Sequence, residues 1–513
     1  MLTHYRVDSA KSAHRRRQVD DFVIYAFAVL TALFLGAASL ASGHVPFPAA
    51  AAVYAVGAVL IFARPVAGVY MLTFFSLVGD PQTMSWYPFN KNGSSAESIL
   101  YVADQLVASP FDGFVVITVL SLVWRMVRRR QATAIPAEFL WPLGILFVAV
   151  GFGIVWGYLN GGELSIAINA SRNLLLLPVL YLLVAVLVRE RRHIRMLLGL
   201  AVAAMTIEAI FTLFEIYYGM SPASRSDLFA SGQSATTHSA SAQANTVLLM
   251  LVSVWLVRRA SLGARLIMPF AAIPVVWAYI LAERRSAVGS LLIALGLVAV
   301  VLFGTDSKRF WRIVPLTGMV FALYVGAFWG SDSALAFPAR AVESQISPDN
   351  ASASDTSSDV YRVIENINLH QTIKDDPILG TGFGRRYRVI IDQPDISGNF
   401  PLWNYIPHNS ILFVWLKAGV VGITSLLVLA FVAVRRSVQV AIWATRPNDV
   451  VAAAVAGGSI VSFLVFTYFD ISWENQGVML LAASLGIITA LGRIATDEAA
   501  EAGDGELSVG AVA

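Results

Sequence analysis

The sequence predicts an all-α fold, a polytopic bundle of about 12–14 transmembrane helices with one long, partly helical outer loop. Three observations predict it. The chain of 513 residues is 57% hydrophobic and 13% charged, with a mean hydropathy of +0.68, whereas soluble domains carry about 25% charged residues. Its apolar runs repeatedly approach the roughly 20 residues that a helix needs to cross a bilayer. Its basic residues cluster between alternate runs, as the positive-inside rule requires. There is no cysteine, so disulfides, thiolate metal sites and cysteine nucleophiles are excluded. The net charge of +3 says little about partners, and nothing in its placement suggests nucleic acid.

The elements follow in order. Residues 1–21 are polar and basic, through Arg15, Arg16 and Arg17, and are expected to form a cytoplasmic tail. The apolar run from Phe22 is too long for the ~7–15-residue core of a cleaved signal peptide and reads as a retained anchor. Apolar segments lie near 22–41, 46–63, 65–79, 111–127, 138–157, 169–188, 194–217, 244–257, 266–282, 286–303, 313–329, 408–433, 449–469 and 475–492, within one transmembrane domain over 22–493. With the N-terminus inside, the cytoplasmic connections collect Arg64, Arg128 to Arg130, Arg189, Arg191, Arg192, Arg258, Arg259, Lys308, Arg309, Arg435 and Arg436. Both termini then lie in the cytoplasm. Residues 494–513 are expected to be a disordered cytoplasmic tail.

Three outer segments remain, near 80–110, 218–243 and 330–407. The second is low in complexity and reads as mobile. The third begins with a flexible stretch, QISPDNASASDTSSD, and continues as a helix whose apolar spacing runs through Val360, Ile364, Ile367 and Ile373. Asp376-Pro377 and the glycines 380, 382 and 384 end that helix.

Candidate chemistry lies on the outer side. Arg284 and Arg285 occupy an outer hairpin, and Arg172 the outer start of another helix. A single such arginine is commonly a snorkelling anchor. Several together favour a substrate path, since guanidinium groups bind phosphate oxygens through paired donors. The loop arginines Arg362, Arg385, Arg386 and Arg388 are further phosphate or glycan candidates, or solvated partners of Asp375, Asp376 and Asp392. Phe400, Trp403 and Tyr405 suit sugar stacking and suit an interfacial aromatic belt equally well. His408 follows, in a pattern of His-Asn, nine residues, Gly419, two residues and Gly422.

With that pattern the chain resembles the bacterial O-antigen ligase and Wzy-type polysaccharide polymerase superfamily. The resemblance rests on H-N-x9-G-x-x-G at 408–422, on P-x-x-G-x-G-x-G from Pro377 to Gly384, on Arg-Ser-Ala at 285–287, and on Ala244-Asn245 at a helix start. It covers most of the chain from about 140 to 490.

The resemblance implies a metal-independent glycosyltransferase of the bacterial inner membrane, without cofactors, working at the periplasmic face. Its donor would be an undecaprenyl-diphosphate-linked glycan and its acceptor a glycan or lipid A core. Membrane lipids and other polysaccharide assembly and export proteins are the implied partners. His408 is then the general base, Arg285 a catalytic diphosphate ligand with Arg284 its immediate rival and a substrate-binding candidate, and Arg172 the second arginine of the family, also substrate-binding. Asn409, beside the histidine, joins the substrate-binding group. The long loop and the extra helices favour the polymerase over the ligase. The alternative is a polysaccharide or lipid-glycan transporter or flippase, which should carry paired broken helices in repeated halves.

Overall fold

The computed structural model describes residues 47–79, 89, 108–129, 137–221, 223–224, 238–331, 333–347, 353–398 and 400–510. Among them the chain is helical, with no strand. In lipid every backbone polar group must be satisfied within the segment, which leaves helices as the economical solution for this composition. The bundle helices are α1 (Phe47–Ala63), α2 (Pro65–Leu77), α3 (Pro110–Arg129), α4 (Leu140–Leu159), α5 (Leu164–Leu187), α6 (Arg191–Phe214), α7 (His238–Leu256), α8 (Leu262–Ala282), α9 (Arg285–Thr305) and α10 (Ser307–Ala327). The shorter α11 (Phe337–Ile346) and α12 (Ala353–Asp375) lie in the long loop, and α13 (Ser410–Trp443), α14 (Pro447–Phe469) and α15 (Asn475–Gly510) complete the bundle. Proline opens α2, α3 and α14, where its missing N–H costs nothing.

Thirteen of the expected apolar segments are helices, and the one near 22–41, like the basic tail before it, lies outside the described residues. Ten helices among the described residues are long and apolar enough to cross a membrane, and Tyr54–Ala63, Pro65–Leu77 and Ala240–Leu256 are shorter apolar helices. The chain is a multi-pass membrane protein. Three elements differ from expectation. α11 is unannounced in the sequence, and α12 begins within the Ser/Asp-rich stretch expected to be flexible. The last helix also runs to Gly510 instead of ending with its apolar run. Elongating an existing helix through Ala- and Glu-rich sequence needs no new nucleus, and Glu498 is held by Arg191 at 2.7 Å.

α14 is the central post: 83% of its apolar window is buried, against 6% for the peripheral α10. Small residues let its neighbours approach. A Cβ on Gly457 would lie 2.3 Å from Ser437 Oγ on α13, and one on Gly458 would lie 3.1 Å from Leu249 on α7. α9 packs along the same post. Asn245 joins this group from α7: wholly buried, its amide donates to the Ala287 carbonyl at 3.0 Å, to Ser290 Oγ at 3.0 Å and to Ser462 Oγ at 2.8 Å. The Ala-Asn and Arg-Ser-Ala motifs are thus two halves of one joint, which fixes the start of α9.

The glycine string is a re-entrant segment packed between α4 and α13. Thr381 N–H donates to the Leu416 carbonyl at 2.7 Å, Phe383 N–H to the Gly153 carbonyl at 2.9 Å, and Val420 N–H to the Ile378 carbonyl at 3.0 Å. Leu416 lies six residues into α13, roughly 9 Å below its start. Backbone at that depth is tolerated because protein partners satisfy it. Gly382, at φ +81°, would place a Cβ 2.4 Å from the Gly157 backbone, and Gly419, at φ +65°, one 2.1 Å from the Ile378 carbonyl. Gly419 is non-helical inside α13. It therefore serves a crossing of the loop rather than close packing of two helices.

Candidate active site

The long loop returns across the end of the bundle and α12 becomes the wall of a cavity of about 490 Å³. Helical spacing puts Asp359, Arg362, Glu365 and Asn366 on one stripe, and each makes a contact across the cavity. Asp359 Oδ1 accepts from Arg285 Nη2 at 2.9 Å. Arg362 Nη2 donates to Asp470 Oδ2 at 3.3 Å, and Asp470 is fully buried where α14 ends. Asn366 Oδ1 accepts from Asn409 Nδ2 at 3.1 Å. Glu365 meets His408 twice: Oε1 lies 3.1 Å from Nδ1, and Oε2 accepts from the backbone N–H at 3.0 Å.

Local structure explains these positions. Asn409 is the N-cap of α13, its side-chain oxygen accepting from Leu412 N–H at 3.0 Å, so His408 sits just outside the first turn. Ser410 Oγ donates to the Asp470 carbonyl at 3.1 Å and Trp473 Nε1 to the Ser410 carbonyl at 3.0 Å, which ties the α14–α15 connection to the same point. Arg285 is the first residue of α9, after the tight turn at Glu283 and Arg284. Tyr361 stands edge-on to His408, with 5.4 Å between ring centroids. Its phenol is held well above its ordinary pKa, first by burial and then by the negative charge of Glu365.

The cavity is divided in character. Its polar part carries Arg285, Arg362, His408 and Asn409, while Leu292, Ile293, Val465 and Phe469 form an apolar wall. Ile293 and Phe469 are exposed. Guanidinium groups beside an imidazole, above an apolar wall, suit an amphiphile with an anionic headgroup and a reacting hydroxyl.

The other expected residues lie elsewhere. Arg284 is the N-cap of α9, next to the cavity but outside its lining. Arg172 ties three helices together, with Nε 2.9 Å from Asp112 Oδ1 on α3 and Nη2 2.9 Å from Asn475 Oδ1 on α15. Arg385 donates to the Thr381 carbonyl at 3.4 Å and its own carbonyl accepts from the buried Lys417 ammonium, so it closes the re-entrant segment. Arg386 lies over the Tyr405 ring and donates to its hydroxyl at 2.9 Å, and that hydroxyl donates to Glu163 at 2.6 Å. Arg388 pairs with Asp375 at the exposed surface. Trp403 packs edge-on against Tyr387.

Asp359 and Glu365 in the cavity lining, and Tyr361 and Asp470 behind it against His408 and Arg362, are residues that the sequence did not single out. Asp359 and Glu365 had a signal, a polar stripe at three-residue spacing through Arg362 in DVYRVIEN. Asp470 had none, because only packing brings the end of α14 to α12.

No curated protein was found to match the chain. Residues 270–427, which hold Arg285, the re-entrant segment, His408 and both motif glycines, match the family model Wzy_C, described as O-antigen ligase.

Proposed function

We propose that the chain transfers or polymerises a glycan delivered on undecaprenyl diphosphate, joining it to a sugar hydroxyl at the periplasmic face of the inner membrane. The observation that carries this is the convergence of His408, Arg285 and Arg362 on one cavity with an apolar wall. The diphosphate binds the two guanidinium groups, and the isoprenoid leaves along the wall of Leu292, Ile293 and Phe469 toward lipid.

His408 takes the proton of the acceptor hydroxyl. The oxygen lone pair then forms the bond to the anomeric carbon while that carbon's bond to the diphosphate oxygen breaks. The electron pair leaves on the diphosphate, and attack from the opposite side inverts the anomeric centre. Arg285 and Arg362 stabilise the charge as it develops, an effect worth about 10²–10³-fold per well-placed donor. The proton passes from the imidazole to the departing phosphate or to water. Base catalysis of this kind supplies about 10²–10⁴-fold. The scheme uses no metal ion.

Orientation supports the periplasmic assignment. α9 and α13 start at the cavity and run toward Lys308 with Arg309 and Arg435 with Arg436, so the basic clusters gather at the opposite end.

The test is the lipopolysaccharide and exopolysaccharide profile of a deletion strain complemented with wild type or His408→Ala. Single lipid-linked repeats without long chains, rescued by wild type alone, identify a polymerase. Full-length chains left on the carrier with bare core identify a ligase. An unchanged surface-glycan profile overturns the proposal.

A further inference from the structure

Of the three carboxylates that contact the polar lining of the cavity or belong to it, two face arginines and one, Glu365, faces His408. We propose that Glu365 is the positioning residue of this site, holding His408 in the tautomer that can accept a proton and balancing the imidazolium formed during transfer. The inference rests on the reading of His408 as the base.

The geometry is specific. Glu365 is 1% exposed, and its two oxygens contact two different groups of one residue, the His408 ring and the His408 backbone N–H. An ionised carboxylate offers acceptors only. At 3.1 Å from Oε1, Nδ1 must then carry the ring proton, which places the basic lone pair on Nε2. The backbone bond fixes the carboxylate to the residue whose ring it orients. The adjacent pair, Asn366 with Asn409, is a second rung between the same two segments and holds them in register. Away from water, a carboxylate at this distance also stabilises the positive ring more than it would at a surface.

The arrangement makes Glu365→Gln informative. Glutamine offers one acceptor and one donor at its tip. The backbone N–H of His408 cannot change sides, so it takes the acceptor, and the amide NH₂ then faces Nδ1. The ring answers by moving its proton to Nε2, where it blocks proton acceptance. Loss of the tautomer in a buried carboxylate–histidine pair costs up to about 10⁴-fold in turnover. The donor does not meet this carboxylate in the scheme, so its KM stays within about twofold.

The test uses the full chain in nanodiscs, with lipid-linked glycan extracted from the deletion strain as donor. Steady-state rates are measured for wild type, Glu365→Gln, Glu365→Asp, His408→Ala and the double variant Glu365→Gln/His408→Ala. The ¹⁵N spectrum of histidine-labelled wild type, assigned by subtraction of His408→Ala, reports the tautomer. The expected result is a kcat loss of about 10²–10⁴-fold in Glu365→Gln at nearly constant KM, with no further loss in the double variant. Glu365→Asp, which keeps the charge, is expected to retain more activity. In folded wild type the proton is expected on Nδ1.

Wild-type kcat in Glu365→Gln, or a loss confined to KM, overturns the role of Glu365 while an inactive His408→Ala leaves the base in place. An active His408→Ala overturns the base and this inference with it. A His408 proton found on Nε2 in the wild type overturns the inference whether or not any variant folds.

Discussion

Arg285 and Arg362 differ in the anion each one holds. Asp359 is half-exposed on the first turns of α12, whereas Asp470 is fully buried. A diphosphate can displace the first and must share Arg362 with the second. Asp359→Asn is therefore expected to tighten donor binding by up to about fivefold, the most that a half-exposed ion pair supplies. A weaker-binding variant would show instead that Asp359 orients Arg285. Arg285→Ala and Arg362→Ala are each expected to lower kcat/KM by about 10²–10³-fold, and Arg285→Lys is expected to restore little, because a point charge lacks the paired donors. Arg172→Ala is expected to leave the kinetics of the remaining folded enzyme unchanged and to lower the unfolding midpoint in detergent, since Asp112 and Asn475 lose their common partner. His408, Asn409, Arg285 and Arg362 were all legible as candidates, from motif and position. That Arg362 and not Arg172 stands with Arg285 was not, because a sequence does not say which way α5 faces.

The re-entrant segment shows what glycine is for at the scale of an element. Gly382→Ala must force a Cβ into backbone atoms at a φ that side chains avoid, and Gly157→Ala would meet the Phe383 carbonyl at 2.0 Å from the other side. Both variants are expected to lose the folded protein from membranes, as judged by fluorescence-detected size-exclusion chromatography. Gly318→Ala on α10 is the control: nothing lies within 4 Å, and the variant is expected to fold and work. Recovery of Gly382→Ala at wild-type levels would mean that the segment tolerates displacement. Membrane helices were legible because length and apolarity suffice to define them. The orientation of α12 was not. Of the apolar positions that the spacing predicts, Val360 and Ile367 are exposed and only Ile373, in the last turn, is buried, while Glu365, Asn368 and Thr372 are buried. Periodicity locates two faces of a helix, and the assumption that the apolar face turns inward fails where the helix covers a polar cavity at the edge of a bilayer.

For the whole molecule the decisive quantity is which end of the bundle faces out. The chain lacks cysteine, so a single introduced cysteine can be labelled without background. Ser397→Cys, exposed on the loop between α12 and α13, is expected to react with a membrane-impermeant maleimide in intact spheroplasts. Arg446→Cys, at the far end before α14, is expected to react only after lysis. The reverse pattern would put the cavity in the cytoplasm and remove the lipid-diphosphate donor. Activity of the purified protein is expected to survive EDTA, and a loss restored by a divalent cation would require a metal in the scheme.

The sequence by itself determined the fold class, the order of the helices and the motif histidine, since these follow from hydropathy, length and local spacing. Only the tertiary structure assembled the candidate site. It brought the polar stripe of α12 to His408, carried Asp470 to Arg362 across 108 residues, and sank the glycine string between α4 and α13. The physical reason is that hydropathy depends on each residue and its near neighbours. Pairing a buried charge instead depends on which surfaces meet when separate helices pack, and no local pattern encodes that choice.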